Sequence, residues 1–194
     1  MKVSIEIRSK SSLEWLNAVM DDFDSFMQDH ADCERKASSM ALSFIAKYPD
    51  RTEIVSELIE TALEELEHFQ QVYTIMKSRG VELAAELEKD EYVNKLVALS
   101  TSGGEKRFMD RLLLASVIEC RGCERFKMIS EALEDPELKK FYKMLWTIEA
   151  KHGNIFVTMA LRYFDEKEVY ERLDYFMEEE AKILETLKPR AAVH

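Results

Sequence analysis

One arrangement of glutamates and a histidine occurs twice in this 194-residue chain. In each copy a single glutamate is followed about 30 residues later by the motif Glu-x-x-His. Residues three positions apart share one face of an α-helix, so each motif presents a carboxylate and an imidazole to the same point. One such motif arises often by chance, whereas two with matched spacing indicate a repeated pair of helices. The six residues are Glu34, Glu65 and His68 in the first copy, and Glu119, Glu149 and His152 in the second.

Glycine and proline occur only eight times, and long stretches with helical periodicity lie between them. Capping residues support these boundaries: Asp135 precedes Pro136 at the favoured first helical position, and Gly80 stands where a helix would end. The pattern predicts five long helices. They cover about residues 12–47, 51–79, 105–133, 136–164 and 166–187.

The connection between the second and third helices is longer than a tight turn needs. It covers about residues 81–104, with a short helix expected within residues 90–100, and it is long enough to run the length of a bundle. We therefore expect an all-α, ferritin-like four-helix bundle with one long crossover. Residues 1–194 would form a single domain with a bundle core over about 12–165, an additional C-terminal helix over about 166–187, and a frayed tail after Pro189.

Composition excludes several other classes. The 38 acidic residues outnumber the 27 basic ones, which argues against a general nucleic-acid binder. No apolar run approaches the roughly 18 residues of a membrane span, and the N-terminus does not read as a signal peptide. Three cysteines cannot form a closed disulfide framework, so we expect a cytoplasmic protein without membrane contact.

The repeated ligand pattern predicts a dinuclear metal centre. Two divalent cations a few ångströms apart repel each other and need anionic, partly bridging ligands, and hard carboxylates suit iron or manganese. The four glutamates and two histidines of the repeat are the ligand set of carboxylate-bridged di-iron bundles, and coordination positions remain open for O₂. Four carboxylates inside a bundle without metal would be costly to desolvate.

The third helix offers two candidate ligands, Glu119 and Glu124. They are five residues apart, about 140° around the helix, so both cannot face one point. Glu119 belongs to the apolar stripe and Glu124 does not, so we select Glu119.

Small residues flank the expected site. Gly122 and Gly153 indicate either close packing of helices or space for a substrate, and packing is the simpler interpretation. Cys120 and Cys123 form a Cys-x-x-Cys motif, for which incidental packing is favoured over a redox pair or a zinc site, because a second cysteine pair is missing.

Larger polar residues leave further alternatives open. His30 precedes Glu34 by one turn and is either its hydrogen-bonding partner or, as slightly favoured, a core histidine. Tyr142 is expected to pack in the core, with hydrogen bonding or electron transfer to the metals as the alternative. Arg121 and Arg125 would neutralise nearby acids or reach a phosphate.

The sequence segments around the candidate ligands are more specific for one protein family than the ligands themselves. Together they resemble the bacterial tRNA hydroxylase family MiaE over roughly residues 12–165. The segments that carry the resemblance are residues 29–38 and 41–48, 64–72 and 76–81, 118–126, and 141–142 with 149–152.

The resemblance implies a ferritin-like enzyme with a non-haem di-iron centre. Such an enzyme is an O₂-dependent monooxygenase that hydroxylates the isopentenyl group of 2-methylthio-isopentenyl-adenosine, next to the anticodon in tRNA, with two electrons. The resemblance carries the ligand roles onto the same six residues of the repeat. A reductase or ferredoxin must supply the electrons, because the sequence has no flavin, nicotinamide or iron–sulfur motif.

Two competing interpretations remain at this stage. The first is a ferritin-like or rubrerythrin-like protein for iron oxidation or peroxide detoxification, and the second is a metal-free scaffold. Storage requires a cage, whereas the hydroxylase is expected to be a monomer or dimer. The acidity restricts tRNA contact to a local basic patch, for which the sequence offers Arg121, Arg125 or Lys106-Arg107.

Overall fold

The computed structural model describes residue 5, residues 7–86 and residues 88–194. All regular elements in this described part are helical. The described part contains seven α-helices, and a short 3₁₀ turn at Thr52–Ile54 precedes the third of them. They are α1 (Leu13–Asp21), α2 (Phe23–Lys47), α3 (Val55–Ser78), α4 (Glu91–Ala98), α5 (Gly104–Ala132), α6 (Pro136–Ala160) and α7 (Glu166–Glu185). None of these helices is both long and apolar enough to cross a membrane.

The expected first helix is divided in two. Asp22 separates α1 from α2, and its side chain accepts a hydrogen bond from the Ser25 amide at 3.1 Å. As the N-cap, the Asp22 side chain accepts from the Ser25 amide, which in a continuous helix would bond to a backbone carbonyl one turn earlier. The prediction of one unbroken helix was therefore wrong at this residue.

Other boundaries follow their sequence signals. Asp90 caps α4 and Asp165 caps α7. Asp135 caps α6, and Pro136 is the first residue of that helix. Gly80 has a φ of 73°, the left-handed conformation that glycine adopts without a Cβ penalty, and it follows α3. The short helix expected in the crossover is α4.

The described helices fall into two compact units. The first unit, residues 17–86, 88–89 and 189–193, is built on the hairpin of α2 and α3, whose contact includes a hydrogen bond from Ser38 Oγ to the Ala62 carbonyl at 2.8 Å. The second unit, residues 5, 7–16 and 90–188 with His194, is built on the hairpin of α5 and α6, with α4 and α7 packed on it. The division of the chain into a single domain over residues 1–194 remains a prediction.

The tail after Pro189 is packed rather than frayed. Val193 is buried and its amide donates to Asp29 Oδ2 at 2.7 Å, within the first unit. Arg190 lies 3.8 Å from the other oxygen of the same carboxylate. A buried acid on α2 thus holds the C-terminal segment, which contradicts the expectation of fraying.

A buried ion pair joins α7 to α5 in the second unit. Arg172 donates from Nε and Nη2 to the two oxygens of Asp110, at 2.7 and 2.8 Å, and Thr101 donates to Oδ2 from its amide and its hydroxyl. Burial would raise the pKa of Asp110, but the hydrogen bonds from Arg172 and Thr101 outweigh it and hold the pKa below its ordinary value.

Replacing this acid tests its contribution. We expect Asp110→Asn to lower the free energy of unfolding at pH 7 by about 2–4 kcal/mol, because it leaves a guanidinium and two donors without their carboxylate. Since the folded-state pKa is depressed, the contribution is complete above the unfolded-state pKa of about 3.9 and is lost as the pH falls through the folded-state value. Urea unfolding across a pH series measures the difference, which should shrink towards acid pH. Glu171→Gln removes the exposed Lys167 pair and should change stability by less than about 0.5 kcal/mol; equal effects of the two variants would contradict the prediction.

Candidate metal centre

The first unit brings Glu34 of α2 together with Glu65 and His68 of α3. All three side chains are buried, and their ligand atoms lie within 4.8 Å of one another. His68 Nδ1 is 3.7 Å from Glu34 Oε2 and 3.5 Å from Glu65 Oε2. Ligand atoms about 2.1 Å from one ion stand roughly 3–3.5 Å apart, so a small displacement would place these three around a metal. We call them the first triad.

The second unit brings Glu119 of α5 together with Glu149 and His152 of α6. Their ligand atoms also lie within 4.8 Å of one another. Glu149 and His152 are buried, Glu119 is half-buried, and His152 Nδ1 is 2.9 Å from Glu149 Oε2. This second triad has the same composition as the first, as the sequence repeat predicts.

His30 is bonded to a member of the first triad. Its ring is fully buried, and Nε2 lies 2.7 Å from Glu34 Oε1, one turn further along α2. In the tautomer that carries its proton on Nε2, the imidazole donates this hydrogen bond to the Glu34 carboxyl oxygen. The slightly favoured interpretation of a plain core histidine therefore missed its main contact, although the i, i+4 spacing was the available signal.

Glu124 lies in a different environment from Glu119. It accepts from the Ser11 amide and hydroxyl at 2.9 and 2.7 Å, and from Arg121 Nη1 at 3.0 Å. Its carboxylate thus belongs to a structural network, and the structure places only Glu119 with Glu149 and His152.

Arg121 and Arg125 do not form a surface patch. Both are buried: Arg121 makes a two-bond ion pair with Glu180 at 2.7 and 3.0 Å, and Arg125 donates to Ser11 and lies over the Trp15 ring. Burial opposes the charge of Arg121, but the hydrogen bonds that Arg121 donates to Glu180 hold its pKa above the usual value, whereas burial and the nearby Arg121 charge lower the pKa of Arg125 to about 10. Of the two alternatives left open by the sequence, Arg121 follows the first, since it neutralises the buried acid Glu180. Arg125 is buried on Ser11 and Trp15, so neither side chain offers a surface contact to a phosphate.

The remaining flanking residues pack. Tyr142 is buried against Phe126 and Phe141. Cys120 and Cys123 are free thiols; burial raises the pKa of Cys120 to about 12, and burial together with the Glu149 charge raises that of Cys123 to about 11, which disfavours thiolate chemistry.

Gly153 marks a close approach of α6 to α5. A Cβ at this position would lie 2.6 Å from Cys120 Sγ, and the Gly153 carbonyl accepts a hydrogen bond from Ser116 Oγ. Gly122 is different, since a Cβ there would meet only Phe126 at 3.9 Å, an ordinary contact. Close packing is thus the reason for glycine at position 153.

The solved structure of a Synechococcus protein described as having aldehyde deformylating oxygenase activity closely matches this chain. The two share 30% sequence identity and a TM-score of 0.92, and the match covers 98% of this chain and 96% of that one. The likeness and the all-helical structure confirm the fold class: the protein is all-α and ferritin-like.

The family follows from sequence comparison. The family model for tRNA-(MS2IO6A)-hydroxylase (MiaE) matches residues 2–194, and the chain belongs to this family. A relative from Pseudomonas putida, named tRNA 2-(methylsulfanyl)-N(6)-isopentenyladenosine(37) hydroxylase, is 36% identical over 155 residues, which is 80% of this chain and 75% of the relative. A relative of the same name from Salmonella typhimurium is 26% identical over 132 residues; the match spans 68% of this chain and about half of that protein, 48%.

The contact at Gly153 gives a prediction for the second unit. We expect Gly153→Ala to destabilise the metal-free protein by about 1–3 kcal/mol, because Cys120 Sγ must move. In a Cys120→Ala background the same substitution should cost less, since the clashing atom is gone. Urea unfolding measures both.

Gly122→Ala is the matched control on the same pair of helices. It should be neutral or stabilise by up to about 1 kcal/mol, because alanine favours helix and meets no obstacle. Equal effects of alanine at positions 122 and 153 would contradict the packing argument.

Proposed function

We propose that the protein hydroxylates the isopentenyl group of 2-methylthio-isopentenyl-adenosine next to the anticodon in tRNA, as a non-haem di-iron monooxygenase. The observation that carries the proposal is the family match over residues 2–194 in a chain whose two hairpins each assemble a complete Glu–Glu–His triad. The family assignment favours this activity over iron storage or peroxide detoxification.

The donor chemistry fits iron. Each triad offers two carboxylates and one imidazole, and hard oxygen donors with a single nitrogen suit iron in both oxidation states. Each triad also concentrates two formal negative charges at buried or half-buried positions, which a divalent cation would neutralise. We assign one iron to Glu34, Glu65 and His68 and a second to Glu119, Glu149 and His152.

The bound irons would supply O₂ activation with two electrons from an external reductase or ferredoxin. The chain's own residues hold the metals and keep water from them, since five of the six ligands are less than about a tenth exposed. His30 orients the Glu34 carboxylate through the 2.7 Å hydrogen bond, which leaves Glu34 Oε2 directed to the triad. The modified adenosine would leave its stack to bring the isopentenyl group to the centre.

Iron content tests the ligand assignment. We expect the reconstituted wild-type protein to hold two irons per chain and Glu119→Gln to lose at least one, because an amide cannot replace an anionic ligand. Glu124→Gln and the exposed Glu131→Gln, on the same helix, should keep both irons. Metal analysis after gel filtration measures the stoichiometry. Loss of iron from Glu124→Gln, with retention in Glu119→Gln, would contradict the choice made on α5.

Nucleoside analysis tests the activity. Iron-loaded protein incubated with isopentenylated tRNA, O₂ and a reductant should add one oxygen atom to the modified nucleoside, and isotopically labelled O₂ should place the label there. Iron-free protein and Glu119→Gln should give no product. Unchanged nucleoside with fully iron-loaded wild-type protein would reject the proposal.

An aldehyde is the competing substrate class, because the structurally similar Synechococcus protein is described by that activity. The same reaction with an aldehyde in place of tRNA is therefore a necessary comparison. We expect turnover of the tRNA nucleoside only; aldehyde consumption without nucleoside hydroxylation would favour the other substrate.

A further inference from the structure

The most positive helix of the protein is α6, and its lysines cluster before the second triad. It carries four lysines against two glutamates, while α7 carries three basic residues against eight acidic ones. All four α6 lysines are exposed, and three of them, Lys139, Lys140 and Lys143, precede the second triad. A local excess of positive charge on a chain with a net charge of −11 is a specific feature.

These lysines share one side of the helix with an aromatic ring. At 100° per residue, Lys139, Lys140, Lys143 and Trp146 fall within about a third of the helix circumference. Trp146 is half-buried, and Lys127 of α5 extends the group because its Nζ lies 5.7 Å from the centroid of the Trp146 ring. We call these four lysines and Trp146 the basic stripe.

The exposed lysines of α6 are available for a ligand. Within the described residues, neither Lys140 nor Lys143 has a carboxylate within 4 Å, in contrast to Lys167 and Lys182, which face glutamates. Arg121 and Arg125, by comparison, are buried and donate hydrogen bonds to Glu180 and Ser11. The stripe therefore offers uncompensated positive charge at the surface of the second unit.

The stripe also lies at a useful distance from the candidate metal ligands. Lys143 precedes Glu149 by six residues, which is about 9 Å along the helix axis, and Trp146 precedes it by less than one turn. Lys106 on α5 precedes Glu119 by thirteen residues, about 20 Å. Along their own helix axes, the lysines before Glu149 and Trp146 are thus closer to Glu149 than Lys106 is to Glu119.

We infer that the basic stripe is the surface that contacts the tRNA, with the lysines on phosphates and Trp146 stacking on a base of the anticodon loop. This inference rests on the proposed function. Aromatic rings among lysines are typical of single-stranded nucleic-acid binding, because every base has a face that stacks. An acidic electron donor would use the charges but not the ring, so RNA fits the combination better.

Binding measured against salt concentration tests the inference. We use iron-loaded protein without reductant and isopentenylated tRNA. Lys140→Gln with Lys143→Gln should weaken binding about tenfold and reduce the slope of log K against log salt by about 1.5, since two phosphate contacts are lost. Trp146→Leu should weaken binding at least about fivefold, and Trp146→Phe should retain most of it. Iron content and the unfolding midpoint show that each variant is folded.

The control removes equal charge elsewhere. Lys106→Gln with Lys167→Gln should change tRNA affinity by less than about twofold. Equal weakening by both double variants would overturn the inference, because net charge alone would then explain binding. If the Lys140→Gln and Lys143→Gln double variant binds tRNA as tightly as the wild type, and the wild type hydroxylates the nucleoside, the basic stripe is not the tRNA-binding surface. The proposed function would then still stand. Absence of both tRNA binding and hydroxylation in the wild type would reject the two together. Unchanged tRNA affinity with slower reduction of the iron by an acidic ferredoxin would assign the stripe to an electron donor instead.

Discussion

Burying carboxylates is the constraint on which the rest of this structure depends. An ionised carboxylate loses several kcal/mol of hydration in a protein interior unless a positive charge and hydrogen bonds replace the water. The chain buries Asp110, Glu180 and three of the four triad glutamates in its helices, and the fourth, Glu119, is half-buried. At Asp110 and Glu180 the compensation is a guanidinium from another helix of the same unit, in geometry that provides two hydrogen bonds. At the triads we assign it to iron, so structure and function rest on the same electrostatic requirement.

The ion pairs of Arg121 with Glu180 and of Arg172 with Asp110 hold the helices of the second unit together. Arg121 and Glu180 join α5 to α7, and Tyr92 of α4 donates to the same glutamate at 3.0 Å. Burial and the Glu180 charge raise the pKa of Tyr92 well above its ordinary value, so its hydroxyl stays a donor. These contacts hold α4 and α7 against α5, the helix that carries Glu119. The additional helix α7 is thus part of the scaffold of the candidate site.

Particular residues show how far the sequence carried the prediction. The paired Glu-x-x-His motifs predicted four of the six candidate ligands, because helix periodicity relates sequence spacing directly to a common face. Glu34 and Glu119 followed from the matched spacing of the repeat, and Glu119 also from the apolar stripe of its helix. Caps at Asp90, Asp135 and Asp165 were equally local signals. The remaining difficulties were long-range. The sequence left open whether Arg121 neutralises an acid or reaches a phosphate, because its partner Glu180 lies 59 residues away, and the tail was predicted to fray, although Val193 is bonded to Asp29, 164 residues earlier. Spacing along the chain contains no trace of such pairings.

The amino-acid pattern alone predicted most of the helices, the two hairpins, the six candidate metal ligands and the family resemblance. Each of these depends on interactions within a few residues or on a repeat visible in the chain. Tertiary structure decided which charges are internal: it buried Arg121 with Glu180 and Arg125 with Ser11 and Trp15, bonded His30 to Glu34, and left the lysines of α6 at the surface. The reason is that burial is a property of three-dimensional packing, and a charged residue shows its function only once its surroundings are known.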